Sequence, residues 1–279
     1  MPYTAEISRT NPACVLILID QSGSMDGPFA GAPEKKKSEG VADAVNRLIQ
    51  NMVLKCAKID GVRDYFHVGL IGYGGELTAG LGTTLPDDVL VPISQLADRP
   101  IRVETRIRHV DDGAGGVVEQ GVKFPVWYEP VAYGRTLMHA AFEAAELIVS
   151  SFILNYPDSF PPIILNITDG RPSDANPLPV AKRIQRLATT DGSVLVFNLL
   201  MSSDPKPPIY FLEDDGVLLD TYSKLLFRMS SVLPPKLMLA AKADGFAVNE
   251  GARGVVFNAD LVAVVRFLDI GTRVTAAMR

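Results

Sequence analysis

Several short runs in this chain are almost wholly apolar and each stops at residues that end a strand. Residues 13–19 read Ala, Cys, Val, Leu, Ile, Leu, Ile before Asp20, and residues 162–167 and 193–200 have the same character. A strand with one wet face alternates apolar and polar side chains; these do not, so they read as strands covered on both faces. Residues 67–73 read as a further strand, 76–80 as its partner across a tight Gly74-Gly75 turn, and 255–257 as a short one. Between the strands lie amphipathic stretches. Residues 34–58 place Val41, Val45, Leu48, Ile49 and Met52 on one stripe, and 136–153, 179–189, 220–229, 236–243 and 259–272 also read as helices. Such alternation predicts one α/β fold: a Rossmann-like, open, mostly parallel sheet with one antiparallel edge strand and helices on both faces. With 279 residues, the chain is long enough to bury roughly three quarters of its unfolded surface around one core, and residues 1–279 read as a single domain.

Residues 82–132 break this rhythm. Ile101, Val103 and Ile107 alternate with Arg102, Glu104, Arg106 and Arg108, a turn follows at 111–116, and 117–127 reads as the return strand. The segment is expected to be an inserted β-hairpin on the edge of the sheet, its charged side either solvated or facing an acidic partner. Trp127 and Tyr128 are expected to pack. A Pro-rich crossing is read at 205–208, and Ser230 and Ser231 read as turn or capping residues.

Composition narrows the function classes. Twenty-seven Lys and Arg against 32 Asp and Glu leave a net charge of −5, so no basic field draws nucleic acid or an acidic membrane surface. Only two cysteines occur, Cys14 and Cys56, both in apolar surroundings, so no disulfide framework is expected. The first residues do not pair a basic start with an apolar block, and no apolar run reaches the roughly 18 residues of a membrane span. A reducing, cytoplasmic setting is the expectation.

Three clusters carry candidate chemistry. The first strand runs into Asp20, Ser22 and Ser24, with Gly23 allowing the loop to curl. A second buried strand runs into Thr168 and Asp169. Tyr133, Gly134, Arg135 and Thr136 directly precede a helix. In open α/β sheets, ligands sit beyond the carboxyl ends of strands where strand order reverses. If both strands flank that point, Asp20 and Asp169 face each other, and a divalent cation relieves their repulsion. Each residue also has a plainer reading: Asp, Ser and Thr cap helices and turns routinely.

Together, Asp20-x-Ser22-x-Ser24, Gly134-x-Thr136 and Thr168-Asp169-Gly170 resemble the metal-ion-dependent adhesion site of the von Willebrand factor type A family. All five positions are matched in order, and the resemblance extends over about residues 10–270. It implies that Ser22, Ser24 and Thr136 are direct or near-direct ligands, and that Asp20 and Asp169 hold the ion partly through water. The all-oxygen set suits Mg²⁺, with Mn²⁺ or Ca²⁺ as alternatives. With only two anionic ligands the ion stays electrophilic, which implies a protein partner that donates an Asp or Glu. The signal-less, disulfide-free chain resembles intracellular bacterial members, which work beside protein kinases, phosphatases or AAA+ ATPases.

Two other readings stay open. One is a metal-dependent phosphohydrolase using Asp20, as in haloacid-dehalogenase-like enzymes, although Ser22 replaces the second aspartate that such enzymes use as general acid. The other is a metal-independent scaffold in which the site is a relic. No Gly-x-Ser-x-Gly occurs, and His67, His109 and His139 follow no metal-ligand spacing. The expected protein is therefore a binding module and not an enzyme.

Overall fold

The computed structural model describes residues 3–29, 32–81, 89–111, 117–203 and 206–271. Residues 82–88, 112–116, 204–205 and 272–279 lie outside the described residues. With them go the start of the insertion, most of its expected turn, part of the Pro-rich crossing and the expected end of the last helix.

The strands of the main sheet and of the hairpin are β1 (Ala13–Asp20), β2 (Phe66–Tyr73), β3 (Leu77–Ala79), β4 (Leu90–Pro92), β5 (Arg102–Asp111), β6 (Val117–Val126), β7 (Ile163–Thr168), β8 (Leu195–Met201), β9 (Ile209–Tyr210) and β10 (Val255–Ala259). The helices are α1 (Lys37–Cys56), α2 (Ile93–Asp98), α3 (Met138–Asn155), α4 (Leu178–Ile184), α5 (Thr221–Met229), α6 (Pro235–Ala243) and α7 (Leu261–Gly271). Eight strands form the main sheet in the order β9-β10-β8-β7-β1-β2-β3, with β4 also on β2. The pairings from β10 through β8, β7 and β1 to β2 are parallel. The fold is the expected α/β, Rossmann-like open sheet. Its antiparallel strands sit at both edges: β3 and β4 share the free side of β2, and β9 lies on β10.

Every residue of β1 is buried, as its unbroken apolar run demands. Val15, Ile17 and Ile19 pack with α1, α6 and α7 on one face. Leu16 and Leu18 pack with α3, α4 and α5 on the other. Chain direction explains this. β1 leads through α1 to β2 on one side of it, and the chain then returns through α3 to β7 on the other side. Right-handed crossovers running in opposite directions put their helices on opposite faces. The strand order therefore reverses between β1 and β7, where Ile19 is level with Ile167.

Helix α1 buries the expected stripe, Val41 to Met52. It starts at Lys37 instead of residue 34 because Ala32–Lys36 is extended and pairs with Pro28–Phe29. Cys14 and Cys56 are free and buried. His67 packs edge-on against Phe152 and Tyr156. Ser230 Oγ donates to the Leu226 carbonyl, and Ser231 Oγ accepts from Val196 N, both structural roles.

The hairpin forms as β5 and β6, but away from the expected edge of the sheet. Among the described residues these two strands pair only with each other, and β4 occupies the sheet edge instead. On the charged side Arg106 turns to α1, while Arg102 stays exposed. Arg106 binds Asp43 of α1 at 2.9 Å and lies 3.6 Å over the Phe124 ring, while Glu104 bridges Arg102 and Arg106. Val103 and Ile107 face solvent instead. The base of the hairpin is held by buried Asn46. Its Oδ1 accepts from Trp127 N (2.8 Å) and Tyr128 N (3.0 Å), and its Nδ2 donates to the Tyr128 carbonyl (2.9 Å). Asn46→Ala leaves these three backbone groups unpaired under cover. We expect it to lower the free energy of unfolding by about 3 kcal/mol, read as a lower urea midpoint; an unchanged midpoint contradicts the assignment.

Candidate metal centre

The rim where β1 and β7 diverge collects all five residues singled out from the sequence. Asp20 ends β1 and is buried. Its Oδ1 accepts from Ser22 N at 2.9 Å and its Oδ2 from Thr168 Oγ1 at 2.7 Å. The Thr168 hydroxyl lies 3.2 Å from that of Tyr222 on α5. Burial pushes the Asp20 carboxyl up to about 6, and nearby Asp169 adds to the rise; the hydrogen bonds from Ser22 and Thr168 oppose it.

The other groups connect in a chain. Ser22 Oγ lies 3.0 Å from Ser24 Oγ, and Ser24 Oγ donates to Asp169 Oδ1 at 2.6 Å. A Cβ placed on Gly170 would stand 3.7 Å from both Ser24 Oγ and Thr136 Oγ1, so those two hydroxyls flank one small space. Glycine at 170 keeps that space open.

Backbone bonds lock the three loops together. Tyr133 N donates to Gln21 O (2.6 Å), Gly23 N to Gly134 O (3.2 Å) and Ser173 N to Thr136 O (2.9 Å). Gly134 is the tight point. Its φ is +85°, and a Cβ there would lie 2.3 Å from Gly75 N. Only glycine meets both conditions.

The capping alternatives fare differently. Asp20 does make a local turn contact, to Ser22 N. Asp169 caps no helix: its oxygens go to Ser24 and Lys37. Thr136 does not cap α3 either, because Asp174 takes the first-turn N–H groups of His139 (3.3 Å) and Ala140 (3.0 Å). The Thr136 residue is only 7% exposed, and its hydroxyl, which makes no hydrogen bond among the described residues, keeps access to solvent. A hydroxyl at the rim that is committed to no other residue is available to a ligand.

Lys37 and Tyr222 were not among the residues singled out. Lys37, at the start of α1, places its Nζ 2.9 Å from Asp169 Oδ2. Its signal was the run Lys35-Lys36-Lys37, which as a block reads only as a solvated helix start. Thr168 and Tyr222 support Asp20 from below; Thr168 was visible as the residue before Asp169, whereas Tyr222 arrives from a distant helix. Among the described residues no three His, Cys, Asp or Glu side chains gather as a metal cage. This centre consists of two carboxylates and three hydroxyls, a donor set for a hard cation that keeps some of its water. The exposed side chains of Tyr133, Arg135 and Arg171 lie on its loops.

The sequence matches no protein-family model and no curated protein. Solved structures similar to it include proximal thread matrix protein 1 from the mussel byssus, at 12% identity over 97% of this chain and 47% of that one, TM-score 0.47. They also include the pilus adhesin SpaC from Lactobacillus rhamnosus GG, at 13% over 97% and 31%, TM-score 0.48. A third is the ArnB paralog VWA2 from Sulfolobus acidocaldarius, at 14% over 70% and 36%, TM-score 0.35. The chain spans less than half the length of each. Likenesses this distant bear on neither ligand nor partner.

The environment of Asp20 has a measurable consequence. A carboxyl whose folded-state affinity for its proton is raised is accommodated best at low pH, and that stability is lost as pH rises from about 4 through about 6. Asp20→Asn removes the buried charge. In chelator at pH 8 it is expected to stabilise the protein by about 2–3 kcal/mol, with the gain vanishing near pH 4. Thermal unfolding at both pH values checks this; a variant less stable than wild type at pH 8 contradicts it.

Proposed function

We propose that this chain is a von Willebrand factor type A-like binding module whose Asp20, Ser22, Ser24, Thr136 and Asp169 form a metal-ion-dependent adhesion site. The observation that carries this reading is the Thr136 hydroxyl, committed to no described residue and flanking the same small space as Ser24. Gly134 and Ser173 hold its backbone in place, and Asp174 relieves it of capping duty.

In this reading Asp20 and Asp169 supply the anionic charge, and the three hydroxyls supply neutral oxygens. When bound, Mg²⁺, or Mn²⁺ or Ca²⁺ in its place, offers a Lewis-acidic position that two carboxylates leave undersaturated. Ser22 and Ser24 are oriented by the short helical turn Gly23–Asp26 that follows β1. Thr136 stands at the mouth, where a partner's Asp or Glu completes the site. Arg135 and Arg171 on the flanking loops favour an acidic partner electrostatically. A protein kinase, phosphatase or AAA+ ATPase remains the family's suggestion for that partner. The net charge of −5 supports a protein over nucleic acid or an acidic membrane, and among the described residues no helix is long and apolar enough to cross a membrane. A reducing, cytoplasmic setting belongs to the same proposal, supported by two buried, unpaired cysteines.

A binding role is favoured over phosphoryl transfer by the state of Asp20. Both its oxygens are hydrogen-bonded and its side chain is covered, which suits positioning and not attack on a substrate. The metal-free scaffold reading has one observation of its own, the Lys37 ammonium on Asp169.

The test is calorimetric titration of Mg²⁺ and Mn²⁺ into wild type and Ser22→Ala/Asp169→Ala. Saturable binding in wild type that falls at least about a hundredfold in the double variant is expected from the loss of two ligands. Absence of saturable binding in the folded wild type overturns a site that loads unaided, and binding undiminished in the double variant overturns this ligand set.

A further inference from the structure

Three consecutive lysines precede the body of α1, and each meets a different carboxylate. Lys35 pairs with Asp43 and Lys36 with exposed Asp26. Lys37 alone turns inward, to Asp169. Its backbone is tied down, its N–H donating to Gly27 O at 2.9 Å. Its side chain is 9% exposed, and that of Asp169 is fully covered. Both carboxylate oxygens are then in use, Oδ1 by Ser24 and Oδ2 by the ammonium.

A counter-charge stabilises a covered carboxylate, and breaking such a pair is far costlier than breaking a surface one. In this arrangement the chain supplies that charge itself. A divalent ion drawn to the same Asp169 would sit within a few ångströms of the ammonium, where like charges under cover repel strongly. Two cations sharing this carboxylate each weaken the other's hold on it.

We propose that Lys37 is a tethered competitor for the metal centre, so that loading is an exchange in which the divalent ion displaces the Lys37 ammonium from Asp169. This rests on the metal-centre reading and adds its regulation. The site is charge-balanced without metal, and metal affinity is set below what the five oxygen ligands alone would give. A free Lys37 and a loaded site are then one state, and a paired Lys37 and a metal-free site the other.

Lys37→Met and Lys37→Gln test this, the glutamine retaining a donor to Asp169 in case the methionine variant folds poorly. Both variants, wild type and Ser22→Ala/Asp169→Ala are titrated with Mg²⁺ and Mn²⁺, and their melting temperatures are compared in chelator and in excess Mg²⁺. The neutral variants are expected to bind about tenfold tighter or more. Lys37→Met should melt below wild type in chelator and gain more from Mg²⁺ than wild type does. Binding seen only in the neutral variants supports the proposal in its strongest form. Neutral variants that bind no tighter than wild type, while the serine–aspartate double variant loses binding, overturn the exchange and leave the metal centre standing. No binding in any folded protein overturns both.

Discussion

Burial of β1 on both faces is the constraint from which the rest follows. A strand with no polar side chain before Asp20 must lie in the middle of a sheet with helices above and below it. Parallel neighbours on both sides then require crossovers that leave in opposite directions. The crevice between the ends of β1 and β7 is a by-product of that departure. Charged and hydroxyl side chains concentrate there because it is the one place where the buried strand reaches the rim.

Electrostatics at this rim is a balance among few groups. Burial works against the Asp20 charge, and neighbouring Asp169 adds to the cost. Two hydrogen bonds, from Ser22 N and the Thr168 hydroxyl, work in the other direction. Asp169 is treated differently, with a hydroxyl on one oxygen and an ammonium on the other. Two carboxylates in one crevice thus have unlike surroundings, one held by neutral donors and one by a cation. Beneath them Tyr73 donates to Asn166 Oδ1, and Asn166 in turn to Asn198 Oδ1, so the polar layer under the site is hydrogen-bonded into the sheet. A rigid, satisfied floor of this kind keeps the loop oxygens in position.

The hairpin shows how far a periodic pattern can mislead about surroundings. Period-two alternation correctly marked two strands and two faces. The usual inference places the apolar face inward. Here α1 presents Asp43 to the hairpin, and an arginine stacked on Phe124 satisfies it better than an isoleucine would. The apolar side chains Val103 and Ile107 are left to solvent as a result. The anchor that matters is Asn46, one polar residue within the apolar stripe of α1, whose amide completes the backbone pairing at Trp127 and Tyr128.

What the sequence by itself determined was local and periodic. Uninterrupted apolar runs identified the buried strands, the stripe from Val41 to Met52 identified α1, and the order of residues placed Asp20, Ser22, Ser24 and Asp169 past strand ends and Thr136 in a loop before a helix. The start of α1 was legible only approximately, because the extended pairing of Ala32–Lys36 with Pro28–Phe29 depends on a partner strand. What only the tertiary structure decided was which groups from distant segments meet. Lys37 is 132 residues from Asp169, and Tyr222 is 54 from Thr168. Asp174 relieves Thr136 of capping α3 from 34 residues away or more. A lysine in a run of three carries no sign of which carboxylate it will find. That choice follows from where α1 begins and how close its first turn comes to the end of β7, and both are consequences of packing.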